Sequence, residues 1–246
     1  MKLHIVGCSG SGPGPLSPAS CYLVQADGFS LVLDLGNGAV GPLQALVGVE
    51  QIDAIWLSHL HADHCLDMAP LAVALMWSGV TVRGPITVLA DALAPARLAT
   101  VMWPDRAADS LAAQFDFVTD RDALGPFGVR TAAVRHPVPA RAIRLEHGGS
   151  SLVYSGDTGP SPALIELARG ADVLLCEAAW GGSTPTTPDL HLSGAEAGEH
   201  AAAAGVGRLL ITHVPPWESV DAAVAGARST FSGPVEAVTA GAVFDI

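Results

Sequence analysis

Ser58-His59-Leu60-His61-Ala62-Asp63-His64 constrains this chain more than any other stretch. Three histidines and one aspartate crowd into residues 59–64, directly after the apolar run Ile52-Asp53-Ala54-Ile55-Trp56-Leu57. The run reads as a buried strand. On extended backbone, side chains two apart point the same way, so His59 and His61 can grip one ion together. Asp63 and His64 lie just beyond, where the chain must turn, and can reach a second ion. Two cations about 3.5–4 Å apart can hold and activate a water for phosphoester hydrolysis. A chance set of polar residues at a strand end would not produce this density of ligands in the order HxHxDH.

The rest of the chain must build a fold that holds such a strand end. Its 246 residues, half of them apolar, suit one α/β domain spanning 1–246. A net charge of −12 gives no general electrostatic footprint for nucleic acid, so DNA is not an expected partner. Cysteines stand at 8, 21, 65 and 176, with no CxxC pair, and read as reduced thiols of a cytoplasmic protein. Cys65 reads as a small buried filler. Leu3-His4-Ile5-Val6 opens the chain as a strand, with no signal-peptide pattern before it. Met68 to Val82 is apolar but short of the ~20 residues of a spanning helix, and Pro70 and Gly79 break it. No membrane partner is expected.

In chain order, strands are expected at 3–6, 21–26 and 30–34. The loop Gly7 to Pro15 is Gly-rich without being a nucleotide fingerprint. It is either a flexible turn or a loop at the mouth of the site, where backbone N–H groups meet an anion. Asp34, at a strand end, can cap the next segment or support metal ligands. Gly41 to Val49 reads as a short helix. Leu66 to Trp77 reads as a helix whose Met68, Leu71, Leu75 and Met76 face the core, a homodimer contact being the other reading. A strand at 86–90 and a helix at 92–104 follow; 105–125 is ambiguous.

Val129 to Val134 reads as a strand delivering Arg135-His136-Pro137. Residues 142–145 and 151–154 read as a hairpin over His147-Gly148-Gly149. Its second strand ends in Ser155-Gly156-Asp157-Thr158-Gly159, where Asp157 is either a metal-bridging carboxylate or a turn residue. Ser161-Pro162 starts a helix that Gly170 closes. Val173 to Cys176 is a strand ending in Glu177, and 181–190 a polar, Pro-rich loop. Ser193-Gly194-Ala195-Glu196 is a capping box, so His191 is held just outside a helix that stops at Gly205. His200, inside that helix, reads as a surface residue. Arg208 to Thr212 delivers His213; a helix at 219–229 and a strand at 235–238 finish the chain.

The strand ends thus carry, in order, Asp34, His59 to His64, His136, Asp157 and His213. That series resembles the metallo-β-lactamase superfamily, whose motifs run Asp, HxHxDH, His, Asp, His. Within it the chain is most similar to the ribonuclease Z-like branch. It is closer still to compact actinobacterial members described as cyclic-nucleotide phosphodiesterases. Gly7 to Ser11, Ser58 to Leu66, Tyr154 to Gly159, His191 to Gly194 and Thr212 to Trp217 carry that likeness. The resemblance implies an αββα four-layer sandwich. It assigns His59, His61 and His136 to one divalent ion, Asp63, His64 and His213 to a second, and Asp157 to both. Zn²⁺ suits an imidazole and carboxylate set, and Mn²⁺ or Fe is compatible.

Asp63 would also orient or deprotonate the attacking water. His191 would stand beside the substrate as a hydrogen-bond or proton donor, with Glu177 orienting it. Arg135 or Arg144 could meet phosphate, although exposed salt bridging is the ordinary use of either. The expected substrate is a small phosphodiester such as cyclic AMP. A transfer-RNA 3′-processing nuclease is the nearest rival. Only twenty residues separate His136 from Asp157, and the hairpin uses them, so the arm that grips transfer RNA in that branch has no room. A non-catalytic metal-binding carrier is the alternative of another class, and the complete ligand series argues against it.

Overall fold

The computed structural model describes residues 1–246 except Val82, Pro104, Arg106 and Pro188, and Ala108 by its backbone alone. The expected limits at Val82 and Pro104, and Pro188 of the 181–190 loop, lie outside the described residues.

Two seven-stranded sheets face each other. The first contains β1 (Lys2–Gly7), β2 (Cys21–Ala26), β3 (Phe29–Leu33), β4 (Ala54–Trp56), β5 (Ile86–Leu89), β6 (Phe115–Val118) and β14 (Val243–Asp245). Their order is β14-β1-β2-β3-β4-β5-β6. The second contains β7 (Ala123–Leu124), β8 (Phe127–Ala133), β9 (Arg141–His147), β10 (Ser150–Tyr154), β11 (Val173–Glu177), β12 (Arg208–Thr212) and β13 (Val235–Ala237), ordered β13-β12-β11-β10-β9-β8-β7.

Strand alternation splits the apolar residues between the two faces of each sheet. The inward-facing set, including Leu3, Ile5, Tyr22, Trp56, Phe127, Ile143 and Tyr154, forms one core between the sheets. Outward-facing residues of the first sheet meet α1 (Val40–Gln44), α3 (Met68–Trp77) and α4 (Ala94–Met102) through Leu43, Leu71 and Leu98. Those of the second meet α5 (Pro162–Ala168), α6 (Gly194–Ala204) and α7 (Val220–Thr230) through Leu164, Ala201 and Ala227. The result is the αββα four-layer sandwich. Among the described residues no helix is long and apolar enough to cross a membrane.

Strand direction positions the site. β3, β4, β5 and β6 are parallel, as are β10, β11, β12 and β13. β8 and β10 each pair antiparallel with β9 and so run the same way. The segments after β3, β4, β8, β10, β11 and β12 therefore leave the sheets with a common sense within each sheet. These segments carry Asp34, the 58–64 stretch, His136, Asp157, Glu177 and His213.

Local chemistry explains several boundaries. Ser193 caps α6 in a reciprocal capping box with Glu196, and Gly205 ends the helix at φ +63. Gly194 and Gly198 let α6 lie against α7, because a Cβ on either would strike α7 atoms. The helix expected over 66–77 begins later, at Met68. A separate one-turn α2 (Ala62–Cys65) precedes it.

The ambiguous 105–125 stretch contains a 3-10 turn at Ala108–Leu111, β6 and β7. β14, for which the sequence predicts no strand, is three residues long and pairs with β1.

Two expectations are corrected. His200 is buried, at 5% exposure, because it ties α6 to α5: its Nε2 accepts from Ser161 N at 2.9 Å and its Nδ1 donates to Glu196 O at 2.7 Å. Arg144 is also buried, at 9% exposure, and donates to the Leu167 and Arg169 carbonyls at the end of α5. It is a helix C-cap as well as the partner of Glu146 at 2.8 Å, rather than an exposed salt bridge.

Candidate metal centre

Asp34 organises the strand ends. It adopts φ +56, a left-handed conformation that Asp tolerates better than most residues, and is fully buried. Its carboxylate accepts from Ser58 N at 2.6 Å, Ser58 Oγ at 2.8 Å, Tyr154 OH at 2.8 Å and His64 Nδ1 at 2.7 Å. The β4 exit, the β10 end and the HxHxDH turn thus converge on one carboxylate. Because Ser58 Oγ donates to Asp34, it accepts from His59 Nδ1 at 3.0 Å. That contact turns His59 Nε2 inward as a lone-pair donor.

His61 occupies the N-cap of α2 with φ −69 and ψ 154. This extended geometry keeps it on the side of His59, with His59 Nε2 and His61 Nδ1 2.9 Å apart. His136 brings its Nε2 within 3.2 Å of His61 Nδ1, while its Nδ1 donates to the Leu190 carbonyl. These three nitrogens and an Asp157 oxygen lie within 4.8 Å of one another.

A second set adjoins the first. Asp63, His64, Asp157 and His213 likewise offer donors within 4.8 Å, all four buried. His64 Nε2 is 3.1 Å from Asp157 Oδ1 and 3.5 Å from Asp63 Oδ2; His213 Nε2 is 3.3 Å from Asp157 Oδ2 and 3.7 Å from Asp63 Oδ2. His213 Nδ1 lies 2.8 Å from Ser20 Oγ. Like Asp34, His213 has a positive φ, +57, and its N–H is held by the Cys8 carbonyl at 3.0 Å. Such strain persists where surrounding structure over-determines it.

The donor sets fit divalent cations. His64 Nε2, His213 Nε2 and Asp157 Oδ1 are buried with no hydrogen-bond partner. Buried polar atoms seldom stay unpaired, and a cation would satisfy all three. Burial pushes His59, His61 and His136 toward the neutral imidazole that ligates metal. Burial alone would raise the Asp63 and Asp157 carboxyls, but the His64 and His213 imidazoles hold both below the usual carboxylate range. His64 goes the other way: burial lowers it, yet the flanking carboxylates of Asp157 and Asp34 raise it.

Glu177 and His191 stand beside these sets. Glu177 is fully buried; its Oε1 accepts from Thr158 N at 2.8 Å and His191 Nδ1 at 2.9 Å, and its Oε2 from Ala179 N at 2.9 Å. The His191 ring lies 5.6 Å from that of His136 and 5.7 Å from that of His213. Burial lowers His191, but the Glu177 carboxylate outweighs it and lifts the imidazole to about 9.

The Gly7 to Pro15 loop packs against His213. A Cβ on Gly10 would strike the His213 carbonyl, and Gly10 N donates to Val214 O at 3.3 Å. Arg135 pairs with Asp189 at 3.2 Å, both more than half exposed, linking the His136 and His191 loops. Ser20 and the Leu190 carbonyl, which orient ligand-type imidazoles, went unnoticed in the sequence; a lone serine and a backbone carbonyl leave no motif.

Residues 14–213 match the family model of the metallo-beta-lactamase superfamily. The Mycobacterium leprae protein ML1173 is 42% identical, across all of this chain and 89% of its own length. Ribonuclease Z of Mycobacterium marinum is 30% identical, across 88% of this chain and 87% of its own. The crystal structure of the metallo-beta-lactamase fold protein YhfI from Bacillus subtilis superposes with a TM-score of 0.87 at 28% identity, covering 99% of both chains. Fold, strand-end series and relatives converge, and the chain belongs to the metallo-β-lactamase superfamily, within which it fits the ribonuclease Z-like branch.

Proposed function

We propose that this protein is a dinuclear phosphodiesterase acting on small phosphodiesters, cyclic nucleotides such as cyclic AMP among them. The observation that carries the reading is the pair of adjoining donor sets sharing Asp157, with the His191–Glu177 pair beside them. His59, His61 and His136 would hold one cation, Asp63, His64 and His213 the other, and Asp157 both. Bound there, two divalent cations, Zn²⁺ by ligand type, supply Lewis-acid charge and an acidified water. Mn²⁺ or Fe would also accept these ligands.

The chain's own residues supply the rest. Asp63, held ionised, can orient a water or take its proton. Glu177 fixes His191 with Nδ1–H bound to the carboxylate, which leaves Nε2 for the substrate. From Nε2 a proton can go to the leaving oxygen, or a hydrogen bond to the phosphoryl group. With a cation bound, Asp34 would hold the His64 Nδ1 proton and leave the Nε2 lone pair facing the centre.

Ribonuclease activity, which the Mycobacterium marinum relative's name suggests, is the second reading. β9 and β10 join through the two residues Gly148 and Gly149, so no arm emerges from that hairpin. With net charge −12 there is also little to attract a long polyanion. Four free cysteines accord with a cytoplasmic location, which is part of the reading. The deciding assay compares kcat/KM for cyclic AMP, bis(4-nitrophenyl) phosphate and precursor transfer RNA at one salt concentration. Preferential turnover of the small diesters is expected. Efficient 3′ cleavage of the transfer RNA would replace this reading, and no turnover of any of the three by metal-loaded protein would favour a carrier.

A further inference from the structure

An open cleft of about 360 Å³ lies at the ends of β12 and β13. Its walls come from Ile211 and Val238 at those ends, from Leu16 in the 8–17 loop, and from Val220 at the entrance to α7. Thr212 and Val214 line it too, and they flank His213. The size is at the small end of ordinary ligand pockets, about 300–1,000 Å³.

The polar groups of this wall are nearly all engaged. Thr212 Oγ1 is 2.7 Å from Tyr22 OH, and Ser17 Oγ donates to Pro18 O and accepts from Cys8 N. Glu218, the one charged lining side chain among the described residues, already accepts from Ser183 Oγ. Thr239 is exposed and makes no side-chain hydrogen bond, and Ser9 is the buried exception. It is 6% exposed, and its Oγ is buried with no hydrogen-bond partner. That Oγ stands 3.3 Å from where a Cβ on Gly14, also in the wall, would sit. A buried hydroxyl left unpaired costs free energy, which a ligand that reaches it past Gly14 can recover.

We propose that this cavity is a second binding site, for a compact, uncharged, mostly apolar molecule of one or two rings with a single hydrogen-bonding group that meets Ser9 Oγ. The carbon-rich wall excludes charged ligands, because it cannot replace their hydration. Glu218 adds repulsion against anions. The site therefore differs in chemistry from the metal centre, which calls for an anionic phosphodiester.

Indole is a suitable probe: two fused rings and one N–H. Titrated into the full-length, metal-loaded protein, it should bind saturably, one per chain. Amide shifts in ¹⁵N spectra should centre on Ser9, Thr212, Val214 and Val238, and indole-3-acetate should bind at least tenfold more weakly. Ser9→Ala should lower indole affinity about fivefold, one hydrogen bond's worth, without lowering the melting temperature of the free protein. Ala237→Leu, which fills the cavity from β13, should abolish binding. The proposal is overturned if indole does not saturate up to its solubility, or if the shifts map elsewhere. Unchanged affinity in both variants would overturn it equally. A concentration-dependent dimer in sedimentation velocity that indole dissociates would make a second copy of the chain the occupant, and would also overturn it.

Discussion

Asp34→Asn tests whether one buried carboxylate both holds the fold together and orients a metal ligand. The carboxylate accepts four hydrogen bonds, three of them on Oδ2, from Ser58 Oγ, His64 Nδ1 and Tyr154 OH, and one on Oδ1, from Ser58 N. An amide of the same shape can keep its oxygen where Oδ2 was, but its NH₂ then faces the Ser58 N–H, donor against donor. Flipping it orphans three donors instead. One unsatisfied buried donor and a weakened bond to His64 together cost about 2–4 kcal/mol. Denaturant unfolding of the metal-free protein reads that loss. Loss of such an orienting partner typically weakens metal affinity by about 10–100-fold, which chelator competition with zinc would measure. Metal-free stability unchanged to about 0.5 kcal/mol, with zinc affinity within about twofold, would refute the reasoning.

His191→Ala should keep both metal sites while kcat falls by about 10²–10⁴-fold. The parent should show an alkaline limb as His191 loses its proton, at or below about 9 because bound cations oppose the Glu177 effect, and the variant should lack it; loss of metal in this variant would make His191 a ligand. Arg144→Met should cost about 1–3 kcal/mol in denaturant unfolding, because the Leu167 and Arg169 carbonyls lose their donor, with kcat per bound metal unchanged. Gly10→Ala should lower zinc affinity, since the new methyl must displace the His213 carbonyl; a variant with parental affinity would show that the 7–15 loop does not support His213.

How legible the molecule is in its sequence depends on where each residue's partners lie. His59 to His64 announce themselves because six residues carry four ligand-type side chains. Their strand follows from the apolar run before them. The single residues His136, Asp157 and His213 are readable only as a series, each set at the end of an apolar run; alone, each suits a turn. Glu177 and His191 are readable as a strand end and a helix entry, and the two meet at 2.9 Å.

Other residues are illegible for one reason: their roles are set by groups distant in sequence. Whether Arg144 is exposed depends on carbonyls 23 and 25 residues away, and His200 on an N–H 39 residues away. Ser20 meets His213 across 193 residues. No local pattern encodes those distances. β14 is no shorter than β4 or β13; what hides it is its partner, since Asp245 pairs with Lys2 at the other end of the chain, and β7 has only two residues.

The site geometry calls for two divalent ions in one chain, held through donors that share Asp157. Elemental analysis of gently purified protein, paired with an Asp157→Ala variant, tests it most directly. Two ions per parent chain are expected, and a variant that loses most of both together, since Asp157 belongs to both donor sets. A reproducible single ion per chain with full phosphodiesterase turnover, or a variant that keeps two, would contradict it.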